Sequence, residues 1–232
     1  MRRANSDGIL SVCVTRKREK AMQQLYILRH GETLFNRQHK TQGWCDSPLT
    51  DRGCEQARCA GRMLAQRVAS FDELYSSTSE RCCDTLELAM TAGWGEVGTY
   101  ERVKGLKEMN FGAFEAKDQF LELFPHGDFY KAYGGESEDE ALGRFASALE
   151  EIMSRGGRNV LAVSHGGVGI MLFKAIVPNP EPGTVPFGNC ICYHYEYDGS
   201  RSGFDAFRWK ETLVPELEHL EIPGQPPQIG WR

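Results

Sequence analysis

Residues 24–33 read QLYILRHGET. A short, mostly apolar run, Gln24 to Leu28, stops on an arginine, a histidine and a glycine. A buried strand that ends on two basic side chains, followed by a residue of free backbone conformation, enters either a charged surface loop or a site for an anion. A second stretch of the same kind lies far along the chain. NVLAVSHGG, residues 159–167, is an apolar run that again ends on histidine and glycine. Runs apolar on both faces are typical of strands in a parallel sheet.

Between these two stretches, strand and helix patterns alternate. Thr50 is placed to cap a helix that carries Ala57, Ala60, Met63 to Ala65 and Val68 at helical spacing. FDELYSS is a second short strand ending at Ser76-Ser77, and Ser79 can cap a helix through Arg81, Thr85, Leu88 and Ala89 that Gly93 would end. GTYERV reads as a third strand. Ser137 and Glu140 form a capping box for a helix to about Ser154. After the NVLAVS strand, His165-Gly166-Gly167 turns the chain into a helix over Ile170 to Ile176. CICYHYEY and FDAFRW read as late strands, joined as a hairpin at Asp198-Gly199. The Tyr193, Tyr195, Tyr197 alternation fits a half-buried strand. The expected fold is therefore a three-layer α/β/α sandwich with a mostly parallel central sheet. Residues 1–21 are expected to be a disordered tail or a start called too early, 22–212 the single domain, and 213–232 an extended, Pro-rich C-terminal tail.

Composition narrows the partners. A formal net charge of −5 gives no global basic field of the kind nucleic acid requires. No apolar run approaches the roughly 20 residues of a membrane helix. The eight cysteines lack metal-site spacing and are expected to be reduced thiols in a cytoplasmic protein. An exposed strand near the C-terminus offers an edge through which a homodimer could pair.

In an open parallel sheet, ligands gather outside the carboxyl ends of the strands. That rule brings Arg29, His30 and Gly31 together with Ser76, Ser77 and Arg81, and with Ser164 to Gly167. Two histidines and two arginines at one edge make an anion site, because guanidinium forks match phosphate oxygens. Gly31, Gly166 and Gly167 would let backbone N–H groups approach an oxyanion at a helix start. A neutral imidazole among cations can act as a nucleophile.

These residues resemble the histidine phosphatase superfamily, which includes the cofactor-dependent phosphoglycerate mutases. The likeness spans most of residues 24–210. The signature Arg29-His30-Gly31-Glu32-Thr33 is followed by Asn36. A second segment matches at Gly43, Asp46, Leu49, Thr50, Gly53, Gln56 and Ala57, and a third at Ser76, Ser77, Arg81 and Thr85. Leu106, Glu108, Phe111, Gly112, Phe114 and Glu115, then Gly135 to Ser137, then Ser164 to Gly167 complete the order. The chain departs from the pattern at Ala116, where the family has glycine.

The resemblance implies a phosphoglycerate mutase-like fold and a division of roles. His30 would take the phosphoryl group. Arg29, Arg81 and His165 would hold its oxygens, Asn36 would touch phosphate or substrate, and Glu108 would serve as acid and then base. Gln42, Gly43 and Gly166 are expected to join the phosphate- and substrate-binding set, while Glu32 and Glu115 order the loops. No metal or organic cofactor is implied. The expected activity is hydrolysis of a small phosphomonoester, with a small phosphorylated metabolite as partner.

Two alternatives stand beside it: mutase-type phosphoryl transfer, and an inactive protein that only binds a phosphorylated ligand. The mutases carry a long insertion where only 28 residues separate Glu108 from Ser137 here, with Lys117 and Lys131 its only basic side chains apart from His126. The aromatic residues Phe111, Phe114, Phe120, Phe124, Phe129, Tyr130 and Tyr133 read equally as a substrate wall or as packing.

Overall fold

The computed structural model describes residues 22–119, 127–180 and 187–216. Phe120, Phe124, His126, residues 1–21 and residues 217–232 lie outside them. The described elements run β1 (Gln23–Arg29), α1 (Leu34–Arg37), α2 (Asp51–Ala65), β2 (Glu73–Ser77), α3 (Glu80–Trp94), β3 (Glu101–Val103), α4 (Glu138–Ser154), β4 (Asn159–Ser164), α5 (Gly166–Ile176), β5 (Cys192–Tyr197) and β6 (Phe207–Leu213).

The six strands form one sheet in the order β3-β2-β4-β1-β5-β6. β3, β2, β4 and β1 are parallel, and β1 sets Arg29 opposite Ser164 of β4. β5 turns antiparallel to β1, and β6 antiparallel to β5. Successive side chains of a strand face opposite sides of a sheet. Leu25 and Ile27 of β1 accordingly join α4 and α5 through Phe145, Leu149, Leu172 and Phe173. Tyr26 and Leu28 join α2 and α3 through Leu64, Leu86 and Ala89. This two-sided burial gives the α/β/α sandwich expected from the alternation.

The caps at Thr50 and Ser137 are in place, the latter as a reciprocal capping box with Glu140. Four local expectations change. α3 does not end at Gly93; it runs to Trp94, and Gly95 closes it at φ +83°. A Cβ on Gly93 would stand 2.6 Å from the Gly61 carbonyl oxygen of α2, so that glycine serves a helix contact. α5 starts at Gly166, well before Ile170. GTYERV contributes only the three residues of β3. β5 and β6 do pair, but through a longer connection over 198–206 that includes a 3-10 turn at Gly203–Ala206, not through a tight Asp198-Gly199 turn. Tyr193, Tyr195 and Tyr197 share one face of β5 and are all buried in the α4–α5 core.

Candidate active site

β1, β2 and β4 deliver His30, Ser77 and His165 to one edge of the sheet. His30 N donates to the carbonyl of Ser164 at 3.0 Å, locking the end of β1 to the end of β4. The two imidazole rings stand 5.4 Å apart, edge to face. His30 Nδ1 lies 2.8 Å from the Gly31 carbonyl oxygen. A carbonyl only accepts, so Nδ1 carries the hydrogen. Burial, and then the charges of Arg81 and Arg29, hold this imidazole well below its usual pKa. The ring is therefore neutral at pH 7, and Nε2 keeps its lone pair.

His165 has the opposite tautomer. Its Nδ1 accepts from Arg81 Nη2 at 2.9 Å, since a guanidinium only donates. Its Nε2–H donates to Ser77 Oγ at 2.8 Å. Burial, followed by the charge of Arg81, pushes its pKa well down too.

Arg81 enters from the first turn of α3 and is 1% exposed. Its Nη groups donate to the carbonyls of Gly43 and Cys45, to Asp46 Oδ1 and to His165. Its Nε is buried without a partner. Arg29, 8% exposed, likewise has a buried Nε with no partner, and burial lowers its pKa. A buried donor left unpaired is costly and rare. Two of them, on the arginines whose charges act most strongly on His30, are donors chemically suited to an oxyanion.

Glu108 follows the 3-10 turn at Lys104–Leu106 and is 7% exposed. Its carboxylate accepts from Met109 N, and from Gly167 N and Val168 N at the start of α5. Its carbonyl accepts from Trp44 Nε1 and Arg144 Nη2. As found, the side chain is an acceptor, the form a base takes; to act as an acid it must gain a proton.

Other expected residues have different local work. Asn36 Oδ1 accepts from Thr33 N and from Asn189 Nδ2, which orients the amide and leaves its Nδ2 as the donor for an anion. Both ends of Gln42 are engaged within the loop, by Thr33 Oγ1 and Ser47 Oγ. The Gly43 carbonyl accepts from Arg81 and its N–H goes to Glu115. Gly31 does not offer its N–H to a ligand, because Thr85 Oγ1 accepts it at 3.0 Å. It is glycine because a Cβ would stand 2.4 Å from the Gly53 carbonyl oxygen of α2. Gly167 gives its N–H to Glu108. Gly166 is needed for close approach, since a Cβ there would lie 2.9 Å from Arg29 Nε.

Glu32 and Glu115 do order loops. Glu32 takes the hydroxyl of Thr50, and Glu115 takes four backbone N–H groups. Ser77 and Thr85 belong to a matched motif, but their partners His165 and Gly31 are tertiary and unreadable from it. Asn189 and Arg144 carried no signal in the sequence. Asn189 donates to His30 O, and Arg144 pins the turn that carries Glu108.

The model of the histidine phosphatase superfamily (branch 1) matches residues 25–210. The chain belongs to this superfamily. Its relatives fall on both sides of the family's chemistry. A broad-specificity phosphatase of Saccharomyces cerevisiae is 29% identical over 65% of this chain and 69% of its own. A protein named "probable phosphoglycerate mutase GpmB" from Photorhabdus laumondii is 30% identical over 88% of this chain and 97% of its own. Among solved structures, a mycobacterial glucosyl-3-phosphoglycerate phosphatase superposes with a TM-score of 0.64 at 25% identity, covering 82% of this chain and 96% of that one. The superfamily fold therefore holds for this chain, and its members are phosphatases or mutases.

Proposed function

We propose that the protein hydrolyses small phosphomonoesters through a phosphohistidine on His30. The observation that carries this reading is the neutral His30 ring, fixed through Nδ1 with Nε2 bare, between two arginines whose buried Nε groups lack partners. Glu108 first takes the proton of the bound monoanionic ester; Nε2 then attacks phosphorus, the P–N bond forms as the P–O ester bond breaks, and the leaving oxygen takes that proton from Glu108. Glu108, now a carboxylate, takes a proton from water. The hydroxide attacks phosphorus, the P–N bond breaks, and inorganic phosphate leaves. The charges of Arg29 and Arg81 neutralise the phosphoryl oxygens, while Asn36 Nδ2 and His165 Nε2–H, turned from Ser77, donate hydrogen bonds to them.

Replacing His30 by Ala should lower turnover of an aryl phosphate at least about a thousandfold, since removal of a nucleophile is among the largest single losses. Rapid quenching of the wild-type enzyme should trap acid-labile phosphate on His30. Retained turnover in the variant would end this reading.

The GpmB relative favours a second reading, mutase transfer. Against it, only two lysines and one histidine supply basic groups between Glu108 and Ser137, and Lys131 is already paired with Glu140 at 2.7 Å. Incubation of 3-phosphoglycerate with catalytic 2,3-bisphosphoglycerate should yield negligible 2-phosphoglycerate. Efficient interconversion would reverse the order of the two readings. The expected setting is the cytoplasm, with a small phosphorylated metabolite as substrate. Among the described residues, no helix is long and apolar enough to cross a membrane.

A further inference from the structure

The phosphate-binding groups are nearly sealed from solvent: His30 is 4% exposed and His165 1%. One large apolar side chain next to them is not. Phe187 is 71% exposed, and Arg29 Cζ lies 4.5 Å from the centre of its ring. The exposed ring and the buried guanidinium thus form one continuous contact from solvent to the anion seat. Gly166 closes another flank of Arg29.

Two and three residues after Phe187 the chain is tied to the end of β1. Asn189 Nδ2 donates to His30 O at 3.2 Å and to Asn36 Oδ1 at 3.1 Å. Cys190 N donates to the same His30 carbonyl at 3.3 Å. Cys190 itself sits at φ +58°, a left-handed conformation that a residue with a Cβ adopts at a cost. Such strain concentrates where a segment is aimed for function. Of the aromatic residues expected as a substrate wall, the five described ones pack against one another. Phe111, Phe114, Phe129, Tyr130 and Tyr133 meet edge to face except for the tilted Phe129–Tyr133 pair.

We propose that Phe187 selects the substrate: its open ring stacks on a flat apolar group attached next to the phosphate. This rests on the reading of Arg29 and His30 as the phosphate site. The preferred substrates are then phosphomonoesters of aromatic or ring-bearing alcohols, over those of compact polyols. The guanidinium on one part of the ring and a planar group on the rest is a stable arrangement for an aromatic quadrupole.

The test uses two ligands that cannot be hydrolysed, phenylphosphonate and methylphosphonate, titrated by calorimetry into the full chain. Wild type should prefer phenylphosphonate by about tenfold, a ratio within reach of one aromatic stacking contact. Phe187→Ala should collapse that ratio toward one, and Phe187→Trp should keep it. An unchanged ratio in Phe187→Ala, or a loss shared equally by both ligands, would overturn the proposal; the shared loss would mean that Phe187 only steadies Arg29. Failure of wild type to bind either phosphonate would instead remove the phosphate site on which the proposal rests. In parallel, kcat/KM for phenyl phosphate should fall more in Phe187→Ala than kcat/KM for glycerol 2-phosphate.

Discussion

Glu115 shows how much a single carboxylate can organise. Its two oxygens accept the N–H groups of Gly43, Trp44, Cys45 and Phe111, and so shape the loop whose carbonyls hold Arg81. The next residue bears a cost. Ala116 has φ +62°, where the family has glycine, and its N–H still reaches the Thr41 carbonyl at 2.9 Å. A Cβ in that region costs about 1–2 kcal/mol, partly offset by the lower backbone entropy of unfolded alanine. Ala116→Gly should therefore raise stability by about 0.5–1 kcal/mol, read as a shift of the urea midpoint at constant slope. A lower midpoint would show that the left-handed turn is not what this residue contributes.

At the scale of elements, the position of Arg81 depends on how closely α2 and α3 approach. A Cβ on Gly61 would stand 2.0 Å from the Ala89 carbonyl oxygen, so the two helix backbones nearly touch. Gly61→Val should destabilise the protein by about 1–3 kcal/mol, the usual cost of overpacking. It should also lower kcat/KM, because α3 carries Arg81 and Thr85. Denaturation and steady-state kinetics on one preparation would check both, and a variant of unchanged stability would contradict the close crossing. The helix starts at Thr50 and Ser137 were legible because a cap is a local event, a side chain bonding a backbone three residues away. The glycine contacts between α2 and α3 were not, because nothing within a helix distinguishes a glycine that meets another helix from one that ends its own. The same limit applied to the 111–133 aromatics: their spacing suits a wall or a cluster equally, and only mutual packing places the described five, Phe111, Phe114, Phe129, Tyr130 and Tyr133, in a cluster.

For the whole molecule, burial of two neutral histidines ties stability to pH. The folded chain holds His30 and His165 well below the ordinary value of 6.5, so it binds fewer protons than the unfolded chain in mildly acid solution. Stability is then full above about pH 6.5 and falls as the pH drops below it, by up to about 1.4 kcal/mol per histidine per pH unit. Urea titrations between pH 7.5 and 5.5 should show that loss, and His30→Asn should lose less. A flat profile would mean that the rings are not buried neutral. By itself, the sequence determined the layered α/β class, the caps at Thr50 and Ser137 though not a cap bond from Ser79, and the order of the residues at the strand ends, because hydrophobic period and capping act over a few neighbours. The tertiary structure alone decided which nitrogen of each histidine carries the hydrogen, which arginine donors lack partners, and that Phe187 is the ring beside Arg29. Apart from His30 Nδ1, which bonds its neighbour Gly31, those properties depend on groups tens to more than a hundred residues apart, and a hydrogen-bond partner or a desolvated charge exists only once the chain has closed around it.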